Sequence, residues 1–145
     1  MARQARVVDV SCRLDHEGIW RFRGSYTPYF NRRIIHVRQV VRQGVGEWTV
    51  TDKVTGAAEL GIDGALHFHP SVDVEVNGTR LICRRGDERL VVEGSNLGPW
   101  QVSRGQREPI SGWFFPAFGV AEPCTTVNYR LQAAEGGGGL FLRIL

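Results

Sequence analysis

Two imidazoles two residues apart, His67-x-His69, form the pair in this chain whose spacing most resembles chemistry. From Ala65 to Val76 the sequence alternates strictly, with Leu66, Phe68, Pro70, Val72, Val74 and Val76 at even positions. His67, His69, Asp73 and Glu75 hold odd positions. On a strand that parity puts all four on one face, so His67, His69 and Glu75 are the candidate ligands of one divalent metal. The competing reading, and the one adopted, is a pair of histidines on a solvated or inter-domain face, with no cofactor.

Nucleophilic catalysis has fewer elements to draw on. The chain contains no Gly-x-Ser-x-Gly elbow and no glycine-rich loop between a strand and a helix. Cys12 and Cys83 sit at alternating strand positions that suit a small apolar residue, and Cys124, between Pro123 and Thr125, has no partner at metal-ligand spacing. All three are expected to be unreactive thiols. His36 is a candidate general base, but its position in an alternating run predicts a surface residue outside the core. No catalytic residue is assigned.

Binding chemistry is better represented. Tyr26, Tyr29 and Phe30 fall in a connection interrupted by Pro28, and Trp113, Phe114, Phe115 and Phe118 lie between Gly112 and Gly119 in what reads as a shaped loop. Aromatic rings on loops carried by a rigid sheet suit a partner or sugar surface. Arg32, Arg33 and His36 stand beside the first group and offer forks for carboxylates. The expected contact surface therefore comprises Tyr26, Tyr29, Arg32, Arg33, His36, Trp113 and Phe118. Its partner would be an acidic polysaccharide, an upstream catalytic domain or a second copy. The alternative is that both loops fold over the ends of the core and bury their rings.

These residues need strands to hold them. The centre is a predicted meander over Leu66 to Val92, turning at Asn77-Gly78 and at Gly86-Asp87. A two-residue type I′ turn at Asn77-Gly78 would set Val76 against Thr79, Val74 against Leu81, Val72 against Cys83 and Glu75 against Arg80. The second turn would set Cys83 against Leu90 and Leu81 against Val92. Further alternating runs occupy Val7 to Leu14, Ile19 to Arg23, Ile34 to Arg42, Glu47 to Val54, Pro99 to Ser103, Thr125 to Leu131 and Leu140 to Leu145. In the third of these, Ile35, Val37 and Val41 read as inside and His36, Arg38 and Arg42 as outside. Gly56 to Gly64 and Gly136 to Gly139 read as a loop and a turn. A sheet with one apolar face needs a cover, and no amphipathic helical run is present to supply it. The expectation is a single domain over residues 1–145: an all-β, antiparallel β-sandwich of about ten to twelve short strands.

At 145 residues such a domain folds without disulfide staples. Its net charge of +3 comes almost wholly from arginines scattered along strands, with Lys53 the sole lysine. That is no clustered basic stripe, so nucleic acid is not an expected partner. Neither a signal peptide nor an apolar run of membrane-spanning length is seen, so no membrane partner is expected. Reduced cysteines suit the cytoplasm. A homo-oligomer stays open.

The order of pieces resembles a family. Gly24-Ser25-Tyr26, then Ile35-His36-Val37-Arg38, then Val50 to Gly56, then Leu66 to Val72, and finally Gly112-Trp113 leading to Phe118-Gly119, are similar to the C-terminal β-sheet region of bacterial heparinase II/III-like polysaccharide lyases. That resemblance implies a non-catalytic module, supporting a catalytic domain or binding acidic polysaccharide or a protein. Members place an α/α toroid before the sheet and eliminate across uronic-acid glycosidic bonds with residues drawn largely from the toroid. The sheet helps build the cleft and often holds zinc. The chain alone is then no enzyme, and it would be periplasmic or secreted if part of a larger lyase. A weaker resemblance, of His67-x-His69 to the start of a cupin metal strand, gives the alternative of a small metalloenzyme. Against it, Glu75 lies too far on and no histidine follows His69.

Overall fold

The computed structural model describes residues 5–56, 62–131 and 137–145. Among them are thirteen strands and no helix, and every strand pair is antiparallel. The strands are β1 (Arg6–Leu14), β2 (Trp20–Thr27), β3 (Ile35–Arg42), β4 (Glu47–Thr55), β5 (Ile62–His67), β6 (Asp73–Asn77) and β7 (Arg80–Arg85). They continue as β8 (Glu88–Ser95), β9 (Gln101–Arg104), β10 (Trp113–Ala117), β11 (Val120–Pro123), β12 (Thr125–Leu131) and β13 (Gly138–Ile144). An eight-stranded sheet runs β1-β2-β3-β4-β13-β8-β7-β6, a three-stranded sheet runs β5-β12-β9, and β10 and β11 form a separate hairpin.

The two larger sheets make the expected sandwich, and its core is their contact. Leu81, Cys83, Val92 and Leu140 from the large sheet meet Val127, Tyr129 and Leu131 of β12. Leu81 and Val127 are fully buried. Burial pushes the Cys83 thiol up to about 11, so it is a core residue and no nucleophile at neutral pH.

Several expectations are corrected. The run from Leu66 to Val76 is two strands in different sheets, because the chain turns over at His69-Pro70-Ser71, where the Val72 amide donates to the His69 carbonyl. Leu66 and Phe68 enter the core from the small sheet, Val72 and Val74 from the large one. The turn after β6 leaves out Gly78 and Thr79, so that Asn77 pairs with Arg80, Val76 with Leu81 and Val74 with Cys83. Gly78 has φ of 59° and Thr79 no positive φ, the pattern of a type II′ turn, in which only the first central residue must be left-handed. Glu75 therefore pairs with Ile82 and reaches Arg84 at 3.0 Å. The second turn is as expected, with Cys83 against Leu90 and Leu81 against Val92.

Gly112 to Gly119 is a hairpin rather than a shaped loop, since backbone pairing of β10 with β11 holds it while Phe115 and Phe118 stay in solvent. Gly138 and Gly139 are strand residues of β13. A Cβ on Gly138 would press on the Ser95 and Asn96 carbonyls, so the glycine lets β13 enter between its neighbours. Residues 57–61 of the loop expected at Gly56 to Gly64, and Gly136, lie outside the described residues; Ile62 to Gly64 belong to β5.

In β3 the faces are reversed. His36, Arg38 and Val40 pair with Val54, Asp52 and Val50 of β4 and with Tyr26, Gly24 and Phe22 of β2, which is the sandwich side of the sheet. The more apolar phase of β3, Ile35, Val37 and Val41, faces away from the small sheet, because the strand's partners and not its own alternation decide which phase faces in.

Candidate functional site

The small sheet covers the β13-β8-β7 part of the large one and leaves β1, β2 and β3 largely uncovered. A cleft of about 670 Å³ results, walled by Phe22, Tyr26 and Val54 of the large sheet and by Ile62, Tyr129 and Leu131 of the small one. Gly64 shapes the floor: a Cβ there would collide with the Tyr129 ring, which lies across the glycine and packs edge-on against Trp100 at 5.7 Å.

A polar group sits in this apolar wall. Asp52 is 3% exposed. Its Oδ1 accepts from Arg38 Nε at 2.8 Å and its Oδ2 from Arg38 Nη2 at 3.0 Å, while His36 Nε2 lies 2.6 Å from Oδ1. Burial raises the Asp52 carboxyl, but hydrogen bonds from His36 and Arg38 and the Arg38 charge outweigh it, and its pKa falls below the ordinary carboxylate value. The bond to Asp52 holds the Arg38 guanidinium above its usual value against the opposing effect of burial. Burial, then the Asp52 charge, raises the Tyr129 phenol. An ionised carboxylate only accepts, so His36 donates from Nε2. The Tyr26 ring meets the His36 ring edge-on at 5.0 Å.

Of the residues singled out from sequence, Tyr26 and His36 line the cleft. Tyr29, Arg32 and Arg33 are exposed in the β2–β3 connection, where Phe30 also reaches the cleft. Trp113 and Phe118 belong to the β10–β11 hairpin, no residue of which lines the cleft. The Trp113 indole donates to the Gln106 carbonyl at 2.8 Å, and Phe118 stands fully in solvent. The structure therefore brings two of the seven residues into the cleft, three to its approaches and two to a separate projection.

Asp52, Arg38 and Tyr129 were not singled out. A signal for Asp52 was available, because it shares strand phase with Trp48, Val50 and Val54, and a carboxylate in a core phase needs partners.

The metal geometry is not formed. His67 is on the small sheet with Nδ1 on Thr126 Oγ1 at 3.0 Å, and His69 Nδ1 lies 2.8 Å from Ser71 Oγ. Glu75 is on the large sheet, paired with Arg84. No group of three metal-binding side chains occurs among the described residues, so these residues do not fit a zinc or other divalent site.

Residues 1–138 match the family described as heparinase II/III-like, C-terminal. A search of curated proteins finds no match. Among solved structures, a mutant of the heparan sulfate lyase HepC from Pedobacter heparinus is similar with a TM-score of 0.68 and 12% identity, over 97% of this chain and 21% of that one. A heparinase III is similar with a TM-score of 0.70 and 11% identity, over 99% of this chain and 24% of that one. The chain thus spans about a quarter or less of the length of these two structures, and at such identity the likeness is one of fold.

Proposed function

The chain belongs to the heparinase II/III-like, C-terminal family, and from that premise we propose that it is a non-catalytic β-sandwich module whose open half-face seats the catalytic domain of a polysaccharide lyase. The observation that carries this reading is the missing half of the roof. A concave wall bearing Phe22, Tyr26, Val54 and Ile62 is the kind of surface that a folded neighbour covers. The charges of Asp52 and Arg38 balance within the wall, so a partner need not bring a counter-ion. The low share of the neighbours' length accords with a piece of a larger enzyme.

Incubated alone with a uronic-acid polysaccharide, the chain is expected to release no unsaturated product. Elimination that disappears on His36→Ala would overturn the non-catalytic reading. Copurification with the product of the adjoining coding sequence, lost on Val54→Arg and kept on Val120→Arg, tests the seat; equal loss from both variants would remove the cleft from the account.

A second reading rests on the approaches to the cleft. Arg32 and Arg33 are exposed and make no ion pair among the described residues, and the Tyr29 and Phe30 rings lie 5.6 Å apart beside them. Arginine forks with stacking rings suit an acidic oligosaccharide. A tryptophan-fluorescence titration with uronic-acid oligosaccharides, repeated on Arg32→Ala/Arg33→Ala, separates this reading from the first; no response in the unmodified chain would end it.

A further inference from the structure

The large sheet ends differently on its two sides. At one edge, β6 has five residues, and its Asp73 and Glu75 are both acidic. A second copy of β6 laid antiparallel about its central residue would set Glu75 against Glu75, which opposes pairing. At the other edge β1 has nine residues, eight of them exposed, among them Val7, Val8, Val10 and Leu14. Among the described residues nothing pairs with its outer side. A strand of this length and apolarity with its backbone groups free on one side is a template for another strand.

The sequence of β1 suits itself. A register shift between Val7 and Asp9 leaves Asp9 to Leu14 regular, pairing in step with Ser25 to Trp20. Within that segment Asp9-Val10-Ser11-Cys12-Arg13 is complementary to its own reverse. With Ser11 on a two-fold axis, Asp9 falls opposite Arg13 of the second copy and Arg13 opposite its Asp9, on the side away from the cleft. Val10 falls opposite Cys12 twice, on the cleft side. Directly opposed residues of antiparallel strands are close neighbours, so both ion pairs and both apolar pairs form together. The arrangement is isologous and closes at two copies.

We propose that the partner of the β1 edge is a second copy of this chain, joined β1 to β1 about Ser11 into one continuous sheet with the two clefts open on the same side. Antiparallel pairing about an axis normal to the sheet keeps the cleft face of both copies on one side. Val7 and Val10 line the cleft, so the two apolar walls adjoin at the seam. The proposal stands independently of what the cleft binds.

Sedimentation of the full 145-residue chain at high micromolar concentration is expected to give a dimer. Asp9→Arg alone, or Arg13→Asp alone, sets like charges opposite each other twice and weakens the dimer by about tenfold or more. Mixing those two variants restores association as a heterodimer, and the doubly exchanged variant restores the homodimer. Independently, Ser11→Cys in a Cys12→Ser background cross-links under a mild oxidant, since opposed strand residues lie within disulfide reach. A chain that stays monomeric, as it would if the edge awaits a strand from a different polypeptide, overturns the proposal. A dimer indifferent to both single exchanges, or a Ser11→Cys variant that does not cross-link, overturns it equally.

Discussion

The same face of the same sheet is a core at one end and a surface at the other. Across β8 and β7, Val92 is 1% exposed and Leu81 0%, while across β1, Val10 is 59% exposed and Leu14 70%. The residue types hardly differ. What differs is β12, whose Val127, Tyr129 and Leu131 lie over the first region and not over the second. Alternation tells which side of a strand is apolar; only the position of the second layer tells whether that side is covered. In the monomer, local stability is expected to follow the cover, with slow amide exchange in β7, β8 and β12 and fast exchange in β1.

Leu81→Ala should show the largest effect of any single truncation. The side chain is fully enclosed between sheets, so its loss removes burial and leaves a cavity that the surrounding strands can fill only in part. Denaturant unfolding should record a loss of about 3–5 kcal/mol. A loss below about 1 kcal/mol would mean that the roofed half is loosely packed and would erase the contrast.

Asp52→Asn probes the boundary between the halves, and its effect should be intermediate. The variant keeps the shape but removes the charge that Arg38 and His36 share, leaving an Arg38 side chain that is 50% exposed and a His36 side chain that is 15% exposed. Because water reaches the guanidinium, the cost should be about 2 kcal/mol, below that of a fully enclosed pair. The pH dependence has a definite sign. Asp52 titrates lower in the folded chain than unfolded, so its contribution is present above the unfolded value, about 3.9 for an ordinary Asp, and is lost as pH falls through the folded value. Stability measured against pH should therefore drop on acidification in the parent chain, with that part of the drop missing in Asp52→Asn. Identical acid slopes would show that the carboxylate is not held by its partners in solution.

Much of the roofed half was legible in sequence, and its misreadings have one source. Turn residues and alternation located β7, β8 and β12, and the Gly86-Asp87 turn gave the pairing of β7 with β8. The break at His69-Pro70-Ser71 was hidden because Leu66 and Phe68 face the core from one layer and Val72 and Val74 from the other, so the parity survives a change of sheet. Around the cleft less was legible. The apolar odd phase of β3 lets Ile35 and Val37 claim the inside that His36 and Arg38 occupy, and the deciding information lies on the next strand, in the pairing of His36 with Val54 and of Arg38 with Asp52. Charged groups that satisfy one another across strands look like wet-face residues when each strand is read alone. For Phe115 and Phe118 the composition marked exposed rings, but the pairing of β10 with β11 shows no side-chain alternation to read.

The smallest effect is expected at Val7. It is as apolar as Val92 and its side chain points to the same face of the same sheet, but it is 65% exposed and precedes the segment of β1 available for regular strand pairing. Truncation to Ala removes methyl groups that are already mostly in water, so Val7→Ala should change stability by less than about 0.5 kcal/mol. Val92→Ala, the matched change under the roof, should cost roughly 2–4 kcal/mol. The pair holds chemistry constant and varies only cover, which makes the difference between the two losses a direct measure of what the small sheet contributes. If Val7→Ala cost as much as Val92→Ala in the isolated chain, the cleft would be filled in solution by something other than water, and the open half would have to be counted as core.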